Sequence, residues 1–362
     1  MITVNTKPLL SALNLAIVNS NVSKYYKRSC LAEITIAPTE LRINLEAAKV
    51  VSEITLVGMA DTSEVQSLFV DNLLLKQLIS TLTSATVRFD VRPDSLEITS
   101  GKSRFTLPKL IPDVAADISL KKPSHTAVGD GIALNKDAWR FVKESQMYAL
   151  SKSFLHPVYT RAWVSNHGDV LIGDFDESQF THSLKSDLGH TCLLSDTIIN
   201  LLDSLPEGAT LYPTDVGYAA TVETDGYKYI TEFIPESEAD VGSYNADIIL
   251  DMMNHPDASF AVSAGQLNHV LNQSLLLSSN VKDTIKFEVS NSTLRLVDAN
   301  VDCSIDIQYS GNIELEFITA RLKSAISSYG DVDVRIGPSI LDDEVTGIVI
   351  WNDEFTTALA GV

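Results

Sequence analysis

Ser100-Gly101-Lys102-Ser103-Arg104-Phe105-Thr106-Leu107-Pro108 turns the chain back on itself and then stops it. Ser-Gly supplies the turn, the alternating residues after it a strand, and Pro108 the end of that strand. Two more short strand candidates precede it, residues 85–92 and 95–99, separated by Pro93-Asp94. A three-strand meander therefore closes a first structural unit near residue 108. The same order of elements recurs twice further on.

Working outward, each unit opens on a helix signal. Asn5-Thr-Lys-Pro, with Leu9, Leu10, Leu13 and Ala16 behind it, places a helix start near residue 6. Asp71 heads a second helix with Leu74, Leu78 and Leu82 four apart, and Asn135 caps a third. Further starts fall near 196, at Ser263 (with Gln266 as its capping-box partner) and near 319. Strands fill the intervals: residues 31–36, 40–47 and 50–57, then 159–165, 169–174 and 210–233, then 284–289, 293–297, 303–307, 313–317, 332–336 and 344–351. Residues 108–134 and 235–259 read as connections, and the end beyond Trp351 as a non-periodic tail. Helix starts spaced roughly every 60 residues, each followed by strands, make a repeated unit used twice per domain and three times per chain. The fold class expected is α+β, with three similar domains at about 1–119, 120–250 and 251–362.

Composition narrows the function. The chain has 362 residues, 45% of them hydrophobic, enough for two or three cores. It carries 47 acidic against 27 basic residues, a formal net charge of -20, so a surface that binds DNA all over is not expected. Cys30, Cys192 and Cys303 are widely separated and read as buried free thiols of a reducing compartment. Neither a signal peptide nor an 18-residue apolar run is present, which gives a cytoplasmic, membrane-independent reading.

The charge is unevenly distributed. Residues 1–32 hold Lys7, Lys24, Lys27 and Arg28 and no acid; residues 318–330 hold Arg321 and Lys323 and no acid. The third helix carries Lys136, Arg140 and Lys143 against Asp137 and Glu144, and Lys76 lies on the second. Residues 331–362, by contrast, hold seven acids and one base. Cations gathered on helices of an acidic protein suit a surface that faces phosphates without gripping them; they are equally ordinary helix formers on solvated faces. The fourth helix, with Asp196 and Asp203 and no base, fits the phosphate-facing reading poorly.

Searching for chemistry yields little. Gly101-Lys102-Ser103 has Leu96 where a phosphate loop needs its first glycine, the seven histidines lack ligand spacing, and Asp174-Phe-Asp-Glu lacks the glycine of a calcium loop. No cofactor, no metal and no enzymatic activity are expected.

Three stretches resemble the bacterial-type DNA polymerase sliding clamp (beta clamp) family. They are residues 96–108, the string Tyr309-Ser-Gly-Asn-Ile-Glu-Leu-Glu-Phe-Ile-Thr-Ala-Arg-Leu-Lys-Ser-Ala-Ile, and the rhythm of the opening helix from Leu9 to Ala16. The middle domain matches in layout only. The resemblance implies three clamp domains, closed by head-to-tail pairing of two copies into a ring with helices lining a central hole. It implies a processivity factor that encircles duplex DNA without sequence preference and tethers the replicative polymerase. Its partners would be double-stranded DNA, a polymerase, a clamp loader and a second copy of the chain. Lys7, Lys24, Lys27, Arg28, Lys76, Lys136, Arg140, Lys143, Arg321 and Lys323 would face DNA. Phe105 and Leu107 would enter the dimer contact, opposite Leu275, Leu276 and Leu277. Ile172, Gly173, Phe175 and Pro235, with Val349, Ile350 and Trp351, would form the partner-peptide pocket. The family's Ala-Thr-Asp-Gly-His-Arg-Leu wall and its Met-Pro-x-Arg ending are replaced here by Leu171-Ile-Gly-Asp-Phe-Asp-Glu and by Ile348-Val-Ile-Trp and its tail, so a different cognate peptide is expected. A clamp carried by a bacteriophage with its own replication machinery would diverge in this way and act in the host cytoplasm. The rival reading is an acidic clamp-fold protein that binds replication or repair proteins without encircling DNA.

Overall fold

In the computed structural model, a short strand runs directly into each of the six expected helices, and three strands follow it. Residues 1–16, 31–47, 49–61, 63–110, 120–123, 127–149, 157–174, 179–183, 188, 191–278, 280, 283–341 and 344–362 are described. The first copy is β1 (Ile2–Asn5), α1 (Thr6–Ala16), β2 (Leu31–Ile36), β3 (Glu40–Ala47) and β4 (Val50–Val57). After the two-residue β5 (Met59–Ala60), the second is β6 (Gln66–Asp71), α2 (Asn72–Thr81), β7 (Thr86–Arg92), β8 (Ser95–Ser100) and β9 (Ser103–Pro108). The third is β10 (Ile132–Ala133), α3 (Lys136–Ala149), β11 (Ala162–Val164), β12 (Val170–Asp174) and β13 (Gln179–Ser183), with a 3-10 turn at Pro157–Thr160. The fourth is β14 (Cys192–Leu194), α4 (Asp196–Ser204), β15 (Thr210–Pro213), β16 (Tyr218–Glu223) and β17 (Lys228–Phe233). Two short helices, α5 (Glu238–Val241) and α6 (Ala246–Met252), precede the fifth copy: β18 (Phe260–Ser263), α7 (Ala264–Leu277), β19 (Thr284–Ser290), β20 (Thr293–Val297) and β21 (Asp302–Asp306). The sixth is β22 (Ile313–Ile318), α8 (Thr319–Ser327), β23 (Asp333–Leu341), β24 (Glu344–Trp351) and β25 (Phe355–Ala360).

The helix starts agree with the sequence reading because the caps are local. Asp71 Oδ1 accepts the Leu74 amide at 2.8 Å, and Asn135 Oδ1 accepts that of Ala138 at 3.2 Å. Most of the opening strands escaped that reading, because two to six residues leading straight into a cap give too little alternation to register. Two further expectations need correction. The connection 235–259 contains α5 and α6. The tail beyond Trp351 is β25, which lies between β13 and β24; four of its six residues are consecutively buried, so it shows no period-two pattern.

Neighbouring copies exchange their opening strands. β6 adds to β2, and β1 adds to β7, so the pair of copies builds two sheets rather than one each. The third and fourth copies do the same through β14 and β10, and the fifth and sixth through β22 and β18. Two backbone splices then join successive pairs: β17 runs antiparallel to β4, and β25 antiparallel to β13. The results are two eight-stranded sheets, β10-β15-β16-β17-β4-β3-β2-β6 and β14-β11-β12-β13-β25-β24-β23-β18, a five-stranded sheet β5-β1-β7-β8-β9, and a four-stranded sheet β21-β20-β19-β22.

Packing divides the chain into two units, 1–134 with 200–235 and 135–199 with 236–362, each holding one eight-stranded sheet. In the first, α1 buries Thr6, Leu9, Ala12 and Leu13 and packs on α2 and β4. In the second, α7 packs on α8, and α3 lies on β12, β13 and α8. There Phe141 stacks on Phe355 at 4.1 Å between ring centroids and meets Tyr329 edge-on at 5.2 Å.

Hydroxyl groups seal the β4–β17 splice. Thr231 Oγ1 donates to the Val51 carbonyl at 3.2 Å, Ser52 Oγ donates to Thr231 Oγ1 at 3.0 Å, and the Tyr229 hydroxyl lies 3.2 Å from Ser52 Oγ. With Ser52 committed as a donor to Thr231, Tyr229 donates to Ser52, and every proton of the chain has an acceptor. All three side chains are buried. Removing the middle acceptor leaves the Ser52 proton stranded among apolar neighbours. Thr231→Val is therefore expected to cost about 1–3 kcal/mol, more than Tyr229→Phe, measured by denaturant unfolding.

Candidate functional site

Three kinds of surface stand out: the helix faces that carry cations, the outer edges of the two smaller sheets at β9 and β21, and an apolar patch on one sheet. The cationic side chains occupy helix faces turned away from the cores. Lys7 and Arg140 are exposed, the latter paired with Asp137 at 3.4 Å. Lys76, Lys136, Lys143, Arg321 and Lys323 are half-buried, and burial lowers the Lys76 ammonium below its ordinary value. Their neighbours one position away, such as Leu75, Phe141, Val142 and Leu322, are buried. Lys24, Lys27 and Arg28 lie outside the described residues.

Two of the sheet edges are β9, at the end of the five-stranded sheet opposite β5, and β21, at the end of the four-stranded sheet opposite β22. Along β9, Leu107 is buried and Phe105 half-buried, while Arg104 and Thr106 point to solvent, Arg104 bonding Glu97 at 3.3 Å. Along β21, Cys303 and Ile305 are half-buried and Asp302, Ser304 and Asp306 exposed. Arg295 clamps Asp302 with two bonds of 2.9 and 2.7 Å and holds its carboxyl below the usual range. Leu276 and Leu277, 84% and 59% exposed, end α7 beside this sheet, with Asn300 Nδ2 donating to the Leu277 carbonyl at 3.4 Å. Leu275 is half-buried. Cys30 lies outside the described residues, and the other two thiols differ from the expectation of uniform burial. Cys192 is buried, which pushes its thiol up to about 12, whereas Cys303 is half-buried at the edge.

The residues expected to form a peptide pocket divide between two faces of one sheet. Val349 and Trp351 share a face with Leu171 and Ala358 and join Val158, Tyr159, Leu193, Tyr244, Ile249 and Met253 in one buried cluster. Gly173 shares that face by alternation with Leu171, whose carbonyl accepts from the Tyr244 hydroxyl at 3.4 Å. Ile172 and Ile350 point to the opposite face, the Ile350 carbonyl accepting from the Tyr329 hydroxyl at 2.7 Å. Pro235 belongs to the other unit, and Phe175 lies outside the described residues. Trp351 stacks on His255 at 4.6 Å, and His255 Nε2 lies 3.0 Å from Thr356 Oγ1. Tyr244, Ile249, Met253 and His255 went unrecognised in the sequence. Ile249 and Met253, four apart behind Asn245, carried the only helical signal.

The corresponding face in the other unit mixes charged and polar side chains with Tyr212, Ala219 and Ile230. Glu40, Arg42, Glu53, Thr55, Thr221 and Lys228 line an open hollow of ≈ 560 Å³ there. Among the described residues, no group of three or more His, Cys, Asp or Glu is placed to hold a metal ion, and no helix is long and apolar enough to cross a membrane.

No protein-family model matches the chain, and no curated protein matches it by sequence. Solved structures do. The DNA polymerase III beta subunit of Pseudomonas aeruginosa shares its architecture with a TM-score of 0.69 at 16% identity, over 100% of both chains. That of Thermotoga maritima gives 0.72 at 15% identity, over 100% of this chain and 98% of the other. The Helicobacter pylori beta clamp bound to a DNA ligase peptide gives 0.68 at 14% identity, over 100% of both. The chain has the α+β fold of the bacterial DNA polymerase sliding clamps, along its whole length.

Trp351 is first a packing residue. Trp351→Ala should destabilise the protein by about 3–5 kcal/mol, the usual cost of truncating a buried tryptophan, and the loss should appear as a lower denaturant midpoint.

Proposed function

We propose that the chain is a DNA polymerase processivity clamp, a non-enzymatic ring of two copies joined head to tail around duplex DNA. Each copy would contribute three domains at about 1–119, 120–250 and 251–362. One observation carries this reading. Within the chain, the last strand of the fourth copy pairs with the last strand of the first (β17 with β4), and that of the sixth with that of the third (β25 with β13). By the same rule the last strand of the second copy, β9, should pair with the last strand of the fifth, β21. Both are edges in the single chain. A second molecule supplies the missing partner, and the rule then closes on itself.

Burial selects the register. β4 and β17 pair Phe233 with Val50. Carried over, that register sets Leu107 opposite Cys303, Phe105 opposite Ile305 and Arg104 opposite Asp306. The inward residues of both edges then meet on one face, and a cation meets an anion on the other. A slip of one residue would put Leu107 against exposed Asp302. Leu275, Leu276 and Leu277 would flank this contact.

The remaining features agree with that role. A net charge of -20 keeps the outer surface from holding DNA, while Lys7, Lys76, Lys136, Arg140, Lys143, Arg321 and Lys323, with Lys24, Lys27 and Arg28, offer loose phosphate contacts from the helices. A polymerase and a loader would dock through short peptides, as the ligase peptide does on the Helicobacter pylori clamp. The acid-bearing, base-free α4 favours the second reading, a clamp-fold adaptor that does not encircle DNA.

Two measurements separate them. Leu107→Cys should form a disulfide with native Cys303 of a second molecule under mild oxidation, giving a dimer on a non-reducing gel that Cys303→Ala removes; Phe105→Cys with Ile305→Cys checks the same register. Antiparallel partners, with Cα atoms about 4.5–5.5 Å apart, are within disulfide range. After loading, rings should remain on closed circular DNA in high salt and leave once the circle is cut; equal loss from both forms rules out encirclement.

A further inference from the structure

Residues 237–253 lie on the apolar face of the second unit's eight-stranded sheet in the manner of a docked peptide. At the entrance, Glu236 and Leu193 exchange backbone hydrogen bonds of 2.8 and 2.9 Å, and the Glu236 carboxylate holds Arg161 at 2.6 Å. Beyond that point, the described backbone hydrogen bonds of the segment are internal: Gly242 to Glu238, Ile249 to Asn245, Met253 to Leu250. Side chains supply the attachment. Tyr244, Ile249 and Met253 enter the cluster of Leu171, Val349, Trp351 and Ala358. Tyr244 meets Tyr159 edge-on at 5.2 Å and stacks on Trp163 at 6.0 Å. Glu238 Oε1 accepts both the Trp163 indole N–H at 3.1 Å and the Tyr244 amide at 3.2 Å.

The underlying face is unlike its counterpart. The first unit's sheet carries Glu40, Arg42, Glu53, Thr55 and Lys228 beside Tyr212, Ala219 and Ile230 on an open hollow, whereas Leu171, Val349, Trp351 and Ala358 here are buried under the segment. The cover is thin. Helices of four and seven residues do not persist in water without tertiary support, so release of the three anchors would melt the segment as one local opening. Its outer side leaves Ile248 and Leu250 49% and 36% exposed.

We propose that this segment is a built-in competitor for the partner-peptide surface. It occupies the apolar face in the resting protein and gives way to a peptide presenting an aromatic and aliphatic side chains in the places of Tyr244, Ile249 and Met253. Partner affinity is then reduced by the fraction of molecules in which the segment is closed. The identity of the partner rests on the clamp reading; the displacement of the segment does not.

Hydrogen exchange of the full-length protein, without DNA, tests the opening. Amides of 237–253 should exchange faster than those of β24 and β25, and Glu238→Ala, which removes two hydrogen bonds to a charged acceptor, should speed the segment alone by about tenfold or more. A labelled synthetic peptide of sequence 237–253, added in trans, should bind Glu238→Ala about tenfold more tightly than wild type and raise exchange of the resident segment. Asp240→Ala, which breaks the Ser237 capping box, repeats the comparison at a solvent-exposed site should Glu238→Ala fold poorly. Exchange of the segment only at the rate of β24, or equal peptide binding by wild type and both variants, overturns the proposal. Neither readout involves ring closure, so failure of the clamp reading would leave them unchanged.

Discussion

A β-strand with an open side must find a partner, and in this chain that requirement is met by splicing. β17 binds β4 and β25 binds β13, each through an antiparallel backbone ladder that welds one pair of copies to the next. The exchange of opening strands within each pair makes the arrangement cooperative. Because β6 belongs to the sheet of β2 and β1 to that of β7, neither copy of a pair can form its sheet without the other. The units defined by packing therefore cut across the repeats seen in the sequence. The middle pair gives one sheet to each unit, and the boundary falls inside α4.

The same constraint organises the surfaces. Sheets bury one face under helices and present the other outward, so each helix carries a buried row and, beside it, positions open to charge. Leu75 and Ile79 of α2 are fully buried, while Lys76 between them keeps only part of its side chain in water. Edge strands are guarded in the same terms. Asp302 and Asp306 alternate with Cys303 and Ile305 on β21, so the edge is charged on one side and apolar on the other.

The two outward sheet faces show how one architecture takes different roles. The face built on β3, β4 and β17 carries Glu40, Arg42, Glu53 and Lys228 along an open hollow. The face built on β12, β24 and β25 carries Leu171, Trp351, Val349 and Ala358, and the chain's own residues 237–253 cover it. The hydroxyl relay through Ser52, Thr231 and Tyr229 marks the first splice as polar and fully satisfied inside; at the second, Tyr329 bonds Thr357 and the Ile350 carbonyl at 3.1 and 2.7 Å. The first set of bonds crosses between copies, whereas the second stays within the sixth copy, beside the splice.

The sequence by itself determined the repeat, the six long helices and most of the longer strands, because caps such as Asp71 and Asn135 and alternation such as that of residues 31–57 act within a few residues of chain. It also determined where the cations fall, since charge can be read position by position. It did not determine β25, whose consecutively buried residues erase the period, or five of the six opening strands, β22 being the exception. Nor could it settle the peptide surface: Ile172 and Ile350 read as companions of Val349 and Trp351, yet strand alternation turns them to the other face. The strand exchange, the two splices, the unpaired edges and the meeting of Tyr244 with Trp163 were decided only by tertiary structure. Each joins residues far apart in sequence, and such pairings depend on which surfaces are left unburied once the local elements have formed.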